Sequence, residues 1–371
     1  MKLKDLLTAF RAVAPESLAE GWDKVGLHTG SLDQDISAGL LCIDLTHAVI
    51  DEAVRQKCQL ILAYHPPIFA PLQRLTDEGP WSQTRMVRCV RKALAVYSPH
   101  TALDAARGGM NDWLCEGLGQ GNAEPIAPNG QQRNEYKVVV FVHEANEASI
   151  RQAMAEAGAG WIGNYRECSF SADGEGGFRP IEGANPTIGQ VGQRETVAER
   201  RLEMIVGGQH LAAVIAALRA AHPYEEPAID LFKLEPEPMP ADQQTGSGRL
   251  LTLDEPIDAD TLADRVKARL GMSAVKLAKP ATDTGPIRTI AVCPGAGGKL
   301  FESVQADAYV TGEMQHHHVL DVSQQGSAVV LAGHTNTERP FLPTYRDKLV
   351  AAGGEIAWHL SEADRAPMAF V

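Results

Sequence analysis

The sequence predicts an α/β protein: a two-part α/β domain with central sheets flanked by helices, plus an inserted ferredoxin-like (βαββαβ) α+β domain. Three observations predict this architecture. Short apolar runs alternate with helical periodicities at both ends of the chain, a pattern typical of parallel βαβ units. A middle segment has the order βαββαβ instead. Stretches rich in Pro, Gly and Gln separate this segment from its flanks.

The first part of the α/β domain is expected over residues 1–130, since 371 residues exceed one average domain. It opens with the amphipathic helix MKLKDLLTAFRAVAP. Strands and helices then alternate in the order AGLLCIDLT, HAVIDEAVRQ, CQLILAY, TRMVRCVRKALA, AVYSPH and MNDWLCEGLG. The polar stretch NAEPIAPNGQQRN is predicted to be a linker.

The insert is expected over residues 136–235, from the strand YKVVVFV to the strand PAIDLFKLE. Between these strands lie the helix EASIRQAMAEAGAG, the strands RECSFSA and RRLEMIVGG, and the helix QHLAAVIAALRAAH. A Pro-rich hinge, EPEPMPADQQTGSG, leads into the second part of the α/β domain, residues 245–371. There the alternation resumes with TLADRVKARLGM, RTIAVC, ADAYVTG, AVVLAGH and RPFLPTYRDKLVAAG.

Composition excludes several classes of protein. The formal net charge of −13 argues against nucleic acid as a partner, because phosphate binding needs clustered Lys and Arg. No run reaches the ~20 apolar residues that span a bilayer, and the first helix lacks the features of a signal peptide. The six cysteines form no C-x-x-C pair. We therefore expect a cytoplasmic protein with reduced, mostly buried thiols.

Three strand ends carry the residues that could bind a metal. His65 ends LILAYH, His100 and Asp104 follow AVYSP, and His334 ends AVVLAGH with Glu338 four residues later. Open α/β sheets bind ligands at such carboxyl ends. A His and a Glu at i and i+4 in the first turn of a helix can be aimed at one point.

Each of these residues also has a purely structural interpretation. A histidine at a strand end is often a hydrogen-bonded structural residue, and either acid could serve a helix N-terminus. Such polar residues recur at three strand ends, and the pattern predicts that these strands belong to one parallel sheet. This repetition favours a shared metal site. Mixed imidazole and carboxylate ligands suit Zn, Mn, Fe, Co or Ni better than Ca.

The triplet His316, His317 and His318 cannot close on one ion, because consecutive side chains of a helix splay about 100° apart. At most one of them is expected to point inward, in a proton-transferring or ligand-supporting role. The loop CPGAGGKL could cradle a phosphate, but it lacks the P-loop spacing, so close backbone packing explains it equally well. Trp22 and Asp23 could line a pocket or pin the first helix to the sheet.

Taken together, these motifs resemble the NGG-interacting factor 3-like family, also labelled GTP cyclohydrolase 1 type 2 and described as dinuclear metal-centre proteins. The matching stretches are GWDKVGLHTG, YHPPIF, SPHTALDAARGGMNDWL, VCPGAGG, DAYVTGEMQHH and AGHTNTERP. The middle segment, with GNYRECSFSADGEGGFRPIEGANPTIGQVG and HPYEEPAIDLF, resembles the PII/CutA-like insert of the longer bacterial members.

The resemblance implies two divalent metal ions between the halves of the α/β domain. By matching positions, the metal ligands would be His65, Asp104, His334 and Glu338, with Glu338 bridging. His100 and His317 would lie close to the centre and could transfer protons. Many bacterial members have a second histidine where this chain has Tyr64. A phenol with a pKa near ~10 is a poorer ligand at neutral pH, so we expect a weaker second metal site.

The resemblance also implies a function. We expect a metal-dependent hydrolase, either similar to GTP cyclohydrolase type 2 or a phosphoesterase, that uses a metal-activated water on a small-molecule substrate such as a nucleotide. The alternative is a non-catalytic metal-binding scaffold or adaptor with a ligand-sensing insert. The resemblance also implies a ring-shaped homohexamer, built as a trimer of dimers, and such an assembly fits both versions.

Overall fold

The computed structural model describes residues 1–129, 134–163, 165–235, 245–282 and 285–368. The chain divides into two compact units, one made of Met1–Asn129 with Ala241–Val371 and the other of Gly130–Pro240. Most of the sequence hinge EPEPMPADQQTGSG lies outside the described residues, as does the end of the predicted linker. Each unit is described by itself.

The described strands of the first unit are β1 (Gly26–Thr29), β2 (Ala38–Cys42), β3 (Leu60–Ala63), β4 (Ala95–Ser98), β5 (Gly121–Glu124), β6 (Ala127–Pro128), β11 (Gly246–Ser247), β12 (Arg249–Ile257), β13 (Lys276–Ala278), β14 (Ile287–Cys293), β15 (Ala308–Thr311), β16 (Ala328–Leu331) and β17 (Ala357–Leu360). Its helices are α1 (Leu3–Val13), α2 (His47–Arg55), α3 (Trp81–Arg91), α4 (His100–Ala105), α5 (Met110–Glu116), α8 (Ala259–Leu270), α9 (Gly298–Phe301), α10 (His316–Gln324) and α11 (Leu342–Ala351).

The first unit contains two large sheets. The five-stranded sheet has the order β1-β4-β3-β2-β17, and all its pairs are parallel except the antiparallel pair of β1 with β4. The six-stranded sheet has the order β13-β16-β15-β14-β12-β5, with β14, β15 and β16 parallel. Strands β2 and β3 are buried along their whole length, as expected for parallel strands covered on both faces.

One hydrophobic core joins the two sheets. It includes Leu41 and Leu62 from the five-stranded sheet and Val292 and Val310 from the six-stranded sheet. Helix α1 adds a face of residues spaced three and four apart, of which Phe10 is completely buried. The two sheets therefore form a single packed body, and their strand ends are held in fixed positions.

The second unit has its own order and core. It runs β7 (Asn134–Val142), α6 (Glu144–Glu156), β8 (Ser169–Phe178), β9 (Glu195–Gly207), α7 (Leu211–Ala221) and β10 (Ile229–Lys233). Its antiparallel sheet has the order β10-β7-β9-β8. Buried side chains from the strands and both helices fill the space between them, among them Val140, Ile150, Leu202 and Leu218.

The α/β class expected from the sequence is confirmed, but two details were wrong. The strand ends before His65 and His334 belong to different sheets, because a buried strand pattern does not specify which strands pair. The start of the predicted linker forms the edge strand β5, which pairs with β12. An edge strand needs only one partner, so a short polar segment can form it.

Two expectations about the chain as a whole can also be compared with the structure. All six cysteines are free thiols, four of them buried. Across the described ranges, no helix combines the length and the apolar character that crossing a membrane requires.

Candidate metal centre

Three side chains from the two sheets of the first unit meet at the carboxyl ends of their strands. His65 lies two residues after the end of β3, where two prolines stop the strand. His334 lies three residues after the end of β16, and Glu338 follows in the same turn. The predicted helix start is displaced, since a 3₁₀ turn, Arg339–Phe341, comes first. Helix α11 begins only at Leu342, directly after this turn.

The three side chains form a compact ligand set. His65 Nε2 lies 3.5 Å from Glu338 Oε2, and His334 Nε2 lies 3.5 Å from Glu338 Oε1. One ligand atom from each residue can be chosen so that all lie within 4.8 Å of one another. Two imidazoles and a carboxylate are a donor set that suits zinc and the other first-row divalent metals.

The state of Glu338 tests whether these residues fit a cation. Its carboxylate is 2% exposed, and its Oε2 atom has no hydrogen-bond partner among the described residues. A buried carboxylate oxygen without a donor is costly, and structures normally satisfy it. A divalent cation between this oxygen and the two imidazole nitrogens would satisfy it, so the residues present fit a metal ion.

Each histidine is held from behind by a second carboxylate. His65 Nδ1 lies 2.9 Å from Asp44 Oδ1, and His334 Nδ1 lies 3.2 Å from Glu313 Oε2. When Nδ1 donates its hydrogen to a carboxylate, Nε2 is left with its lone pair for a metal. Both rings are therefore oriented so that Nε2, once deprotonated, can offer its lone pair to a metal ion beside Glu338.

The charges around His65 favour a cation at this position. Burial lowers the pKa of His65, but its interactions with Asp44 and Glu338 outweigh burial and raise the pKa to about 10. Burial likewise raises the pKa of Asp44, and the hydrogen bond from His65 more than offsets this, so the pKa of that carboxyl is lowered. A positive charge between these two carboxylates is thus stabilised by both.

The glycine loop CPGAGG closes one side of the cluster. Gly295 has a φ of +66°, and a Cβ atom there would lie 2.8 Å from Glu338 Oε1 and 3.2 Å from His334 Nε2. Its amide donates to Thr337 Oγ1, and the amide of Gly297 donates to Thr311 Oγ1. The structure supports the packing interpretation of this loop, because these amides already have acceptors and only glycine lets the backbone approach.

Asp104 and Tyr64 form a second group beside the cluster. Tyr64 donates its hydroxyl hydrogen to Asp104 Oδ1 at 2.6 Å, so these two residues are hydrogen-bonded to each other. Burial raises the pKa of Tyr64 well above its ordinary value, and the nearby Asp104 charge raises it further. Burial also raises the pKa of Asp104 to about 6. Tyr64 is thus a neutral hydrogen-bond donor in this structure.

His100 is fixed by a buried aspartate. Its Nδ1 lies 2.8 Å from both carboxylate oxygens of Asp23, whose side chain is inaccessible to solvent. The amide and hydroxyl of Thr101 also donate to Asp23. The ring of His100 has edge contacts with the rings of Tyr64 and His65, with centroids 5.4 and 5.5 Å apart. Asp23 therefore holds the first residues of α4, a contact that neither sequence interpretation of this residue identified.

The backbone of His100 is strained as well. It adopts a φ of +31° at the first position of α4, a conformation that residues with side chains rarely adopt. Such strain persists where surrounding contacts hold it, frequently at functional sites. The four contacts of Asp23 with His100 and Thr101 provide that support.

The histidine triplet lies on the first turn of α10. His316 and His317 are exposed, with ring centroids 5.4 Å apart, and His318 is half-buried. Within the described part of the chain, none of the three joins the cluster of His65, His334 and Glu338. The role expected for His317 from the resemblance stays a prediction.

Asp44 and Glu313 were not identified from the sequence as members of the site. A usable signal was present, because Asp44 follows β2 and Glu313 follows β15. These strands neighbour β3 and β16 in their sheets, so their carboxyl ends lie at the same edge.

Comparisons with known proteins agree with the fold. The sequence model of the Duf34/NIF3 (NGG1p interacting factor 3) family matches residues 1–367. The "GTP cyclohydrolase 1 type 2 homolog" of Bacillus subtilis (strain 168) is 36% identical over 334 residues, which cover 89% of this chain and 87% of that protein. "NIF3-like protein 1" of Bos taurus is 36% identical over 380 residues, which cover 99% of this chain and 92% of the other.

Solved structures give the same result. The crystal structure of a Bacillus cereus protein related to NIF3 superposes with a TM-score of 0.62 at 33% identity, covering 100% of this chain and 99% of that one. The Staphylococcus aureus protein SA1388 shares the fold, with a TM-score of 0.62 at 24% identity over 100% of this chain. A family model that spans nearly the whole chain, together with relatives about a third identical over most of their length, shows that this protein belongs to the Duf34/NIF3 (NGG1p interacting factor 3) family.

Proposed function

We propose that the protein is a metal-dependent hydrolase in which His65, His334 and Glu338 hold a divalent cation. The observation that carries the proposal is the buried Glu338 carboxylate, which lies 3.5 Å from the Nε2 atoms of both histidines and whose Oε2 atom accepts no hydrogen bond from the described residues. A cation bound there would act as a Lewis acid and lower the pKa of a water molecule into the physiological range.

The remaining residues of the site orient groups and move protons. Asp44 and Glu313 fix the rings of the two ligand histidines so that Nε2 of each ring faces Glu338. Asp23 fixes His100 through Nδ1, so Nε2 of His100 is the atom available to accept a proton. His317, on the exposed first turn of α10, is the second candidate for proton transfer.

We further propose that a second divalent cation binds more weakly at Asp104, with Glu338 shared between the two sites. Zn, Mn, Fe, Co and Ni are the candidates for both positions. Tyr64 donates a hydrogen bond to Asp104, so this carboxylate must exchange an existing partner for the metal. That exchange supports a lower affinity for the second cation.

The substrate is proposed to be a small molecule, either a guanine nucleotide or a phosphoester. The first class follows from relatives named GTP cyclohydrolase 1 type 2 homolog. The second follows from the chemistry, because a metal-activated water can attack phosphorus as well as an electrophilic carbon.

Metal content and turnover test the proposal together. Glu338→Gln keeps the size of the side chain and removes its charge, and Glu302→Gln, at an exposed position, is the matched control. Mass spectrometry of protein purified without added metal or chelator should find bound metal in the wild type and control and its loss in Glu338→Gln. Full metal content in Glu338→Gln would refute the ligand assignment. If the metal-loaded protein hydrolyses neither GTP nor bis(p-nitrophenyl) phosphate, the proposed hydrolase activity is refuted. The assignment of the metal ligands is not affected by that result.

A second candidate function is a metal-binding scaffold or adaptor in which the insert senses a ligand. One observation favours it: all residues of the metal cluster lie in the first unit. In addition, the amide of Asn129 donates to the carbonyl of Thr245 at 2.8 Å, so the two chain ends of the insert are adjacent. The insert is therefore not required to assemble the cluster, and it is free for another role.

The remaining proposals concern assembly and location. The order βαββαβ and the sheet order β10-β7-β9-β8 support a ferredoxin-like domain of the PII/CutA kind for the second unit. We propose a homohexamer, a trimer of dimers, on the basis of the resemblance to the family. Six free cysteines support a reducing, cytoplasmic location. Light scattering would test the hexamer, and a monomeric mass would refute it.

A further inference from the structure

A pocket of about 690 Å³ opens at the metal cluster. This volume lies in the range of pockets that bind small molecules. One side of the pocket is formed by His65 and His334 with their carboxylate partners, Asp44 and Glu313. The rest of the wall comes from β13, β16, the loop after β15 and the segment 366–368.

A single permanent positive charge lines this pocket. Among the described residues of its wall, Lys276 alone is a lysine or arginine. In β13 it pairs with Leu331 of β16, which also lines the pocket. Directly opposed residues of an antiparallel pair project from the same face of a sheet, so the register itself directs Lys276 to the pocket.

The ammonium group of Lys276 has no acceptor in the described parts of the chain. The next lysine, Lys279, differs in this respect, because its Nζ atom lies 2.6 Å from Asp260 Oδ2. The nearby acids of the pocket are engaged elsewhere, since Asp44 and Glu313 each bond to a histidine. Lys276 is therefore free to pair with an anion that enters from solvent.

The wall between Lys276 and the cluster is apolar. Met314 and Leu331 are half-buried there, and Pro367 and Met368 are exposed at its edge. Met368 is 72% exposed and is therefore accessible to a bound ligand. Thioether and aliphatic side chains of this kind adapt to flat or irregular apolar ligands.

We infer that this pocket binds a small organic anion, with its phosphate or carboxylate group on Lys276 and its apolar body against Met314 and Leu331. Lys276 is thereby a binding residue for the substrate of the proposed hydrolase. The inference rests on that proposed function only where it calls the bound anion a substrate. Lys276 lies opposite Leu331, and His334 follows Leu331 by three residues, a chain length of at most roughly 10 Å. The anionic group and the reacting group thus lie at opposite ends of the ligand.

Phenylphosphonate is the probe of choice, because it combines a dianion with an apolar ring and resists hydrolysis. Its dissociation constant would be measured by isothermal titration calorimetry on zinc-loaded wild type, Lys276→Ala, Lys276→Arg and Lys279→Ala. Lys279→Ala is the matched control, since it removes the same charge beside the same strand. We expect Lys276→Ala to weaken binding about tenfold, the size of one charge-assisted hydrogen bond. Lys276→Arg and Lys279→Ala should stay within a factor of about three of the wild type.

Three further ligands identify the chemistry. Phenylacetate replaces the phosphonate by a carboxylate, methylphosphonate removes the ring, and benzyl alcohol removes the charge. Whichever of phenylphosphonate and phenylacetate binds with the lower dissociation constant identifies the class of anion that the pocket prefers. Methylphosphonate and benzyl alcohol should both bind more weakly than phenylphosphonate. Equal binding of benzyl alcohol would overturn the role of the charge, and equal binding of methylphosphonate would overturn that of the apolar wall.

Glu338→Gln separates this inference from the metal site. If the anion is held by Lys276, phenylphosphonate should bind Glu338→Gln more tightly than it binds Lys276→Ala. The reverse order would place the anion on the cation and overturn the inference, while the metal site would stand. Unchanged affinity in Lys276→Ala, or no binding to wild type at millimolar concentration, would also overturn it. Metal content measured in every variant shows separately whether the cluster is intact.

Discussion

Replacing Asp44 by alanine should weaken metal binding without touching a metal ligand. Asp44 Oδ1 lies 2.9 Å from His65 Nδ1 and sets the orientation and tautomer of that ring. Without it, the ring can rotate and Nδ1 can lose its proton, so Nε2 is no longer held toward Glu338. Loss of such an outer partner typically costs tenfold to a hundredfold in metal affinity.

The structure also ranks the two outer carboxylates. The side chains of His65 and Asp44 are 23% and 33% exposed, whereas those of His334 and Glu313 are 35% and 48% exposed, and the second pair is longer at 3.2 Å. Solvent screening weakens the more exposed pair. We therefore expect about 30-fold weaker binding for Asp44→Ala, or about 2 kcal/mol. For Glu313→Ala we expect about fivefold, or about 1 kcal/mol.

Competition for zinc with a chromophoric chelator measures both affinities directly. Asp33→Ala is a suitable control, because Asp33 pairs with Lys4 and its side chain is 79% exposed. Circular dichroism would establish that each variant is folded. Wild-type affinity in Asp44→Ala would refute the argument, since it would mean that the hydrogen bond to Nδ1 does not position the ligand. A larger loss in Glu313→Ala than in Asp44→Ala would refute the ranking by exposure.

Three other predictions follow from the same geometry. Tyr64→His should raise the bound metal from about one to about two ions per chain, because an imidazole beside Asp104 is a better metal ligand than a phenol that donates a hydrogen bond to it. Mass spectrometry would count the metal ions, and an unchanged count would argue against a second site. Asp23→Asn should disturb the tautomer of His100, seen in long-range ¹H–¹⁵N NMR spectra, while metal content stays unchanged. A spectrum identical to that of the wild type would contradict the role of Asp23 in positioning His100. Replacing residues 130–244 by an Asn-Gly turn should preserve metal content, because Asn129 and Thr245 on either side are already hydrogen-bonded to each other as in a hairpin. A folded variant without metal would show that the insert supports the cluster.

Much of the architecture could be predicted from the sequence. Continuous apolar runs mark β2, β3, β15 and β16 because these strands are buried on both faces. The positions of His65 and His334 follow from these runs, since each histidine ends one. The structure brings both histidines to Glu338, as the repetition of polar residues at strand ends had indicated.

Other features depend on contacts that are distant in sequence. Strand β17 pairs with β2 across more than 300 residues of chain, and its segment AWHL carries no strong local signal. The division into two sheets likewise depends on pairing, which local patterns do not determine. The position of Asp44 after β2 marked it as a candidate, but its role depends on the direction of its side chain toward His65, and sequence spacing gives no rotamer.

The arrangement of the ligands has a consequence for how the site works. The five-stranded sheet provides His65 with its carboxylate, and the six-stranded sheet provides His334 with its carboxylate and Glu338. Neither sheet has a complete donor set. Yet the sheets already share a continuous buried core, so they do not need a cation to come together. The free energy of metal binding is then not consumed in folding, and the donors are preorganised. A preorganised site held by packing is suited to keeping a cation in fixed geometry while a substrate binds and leaves.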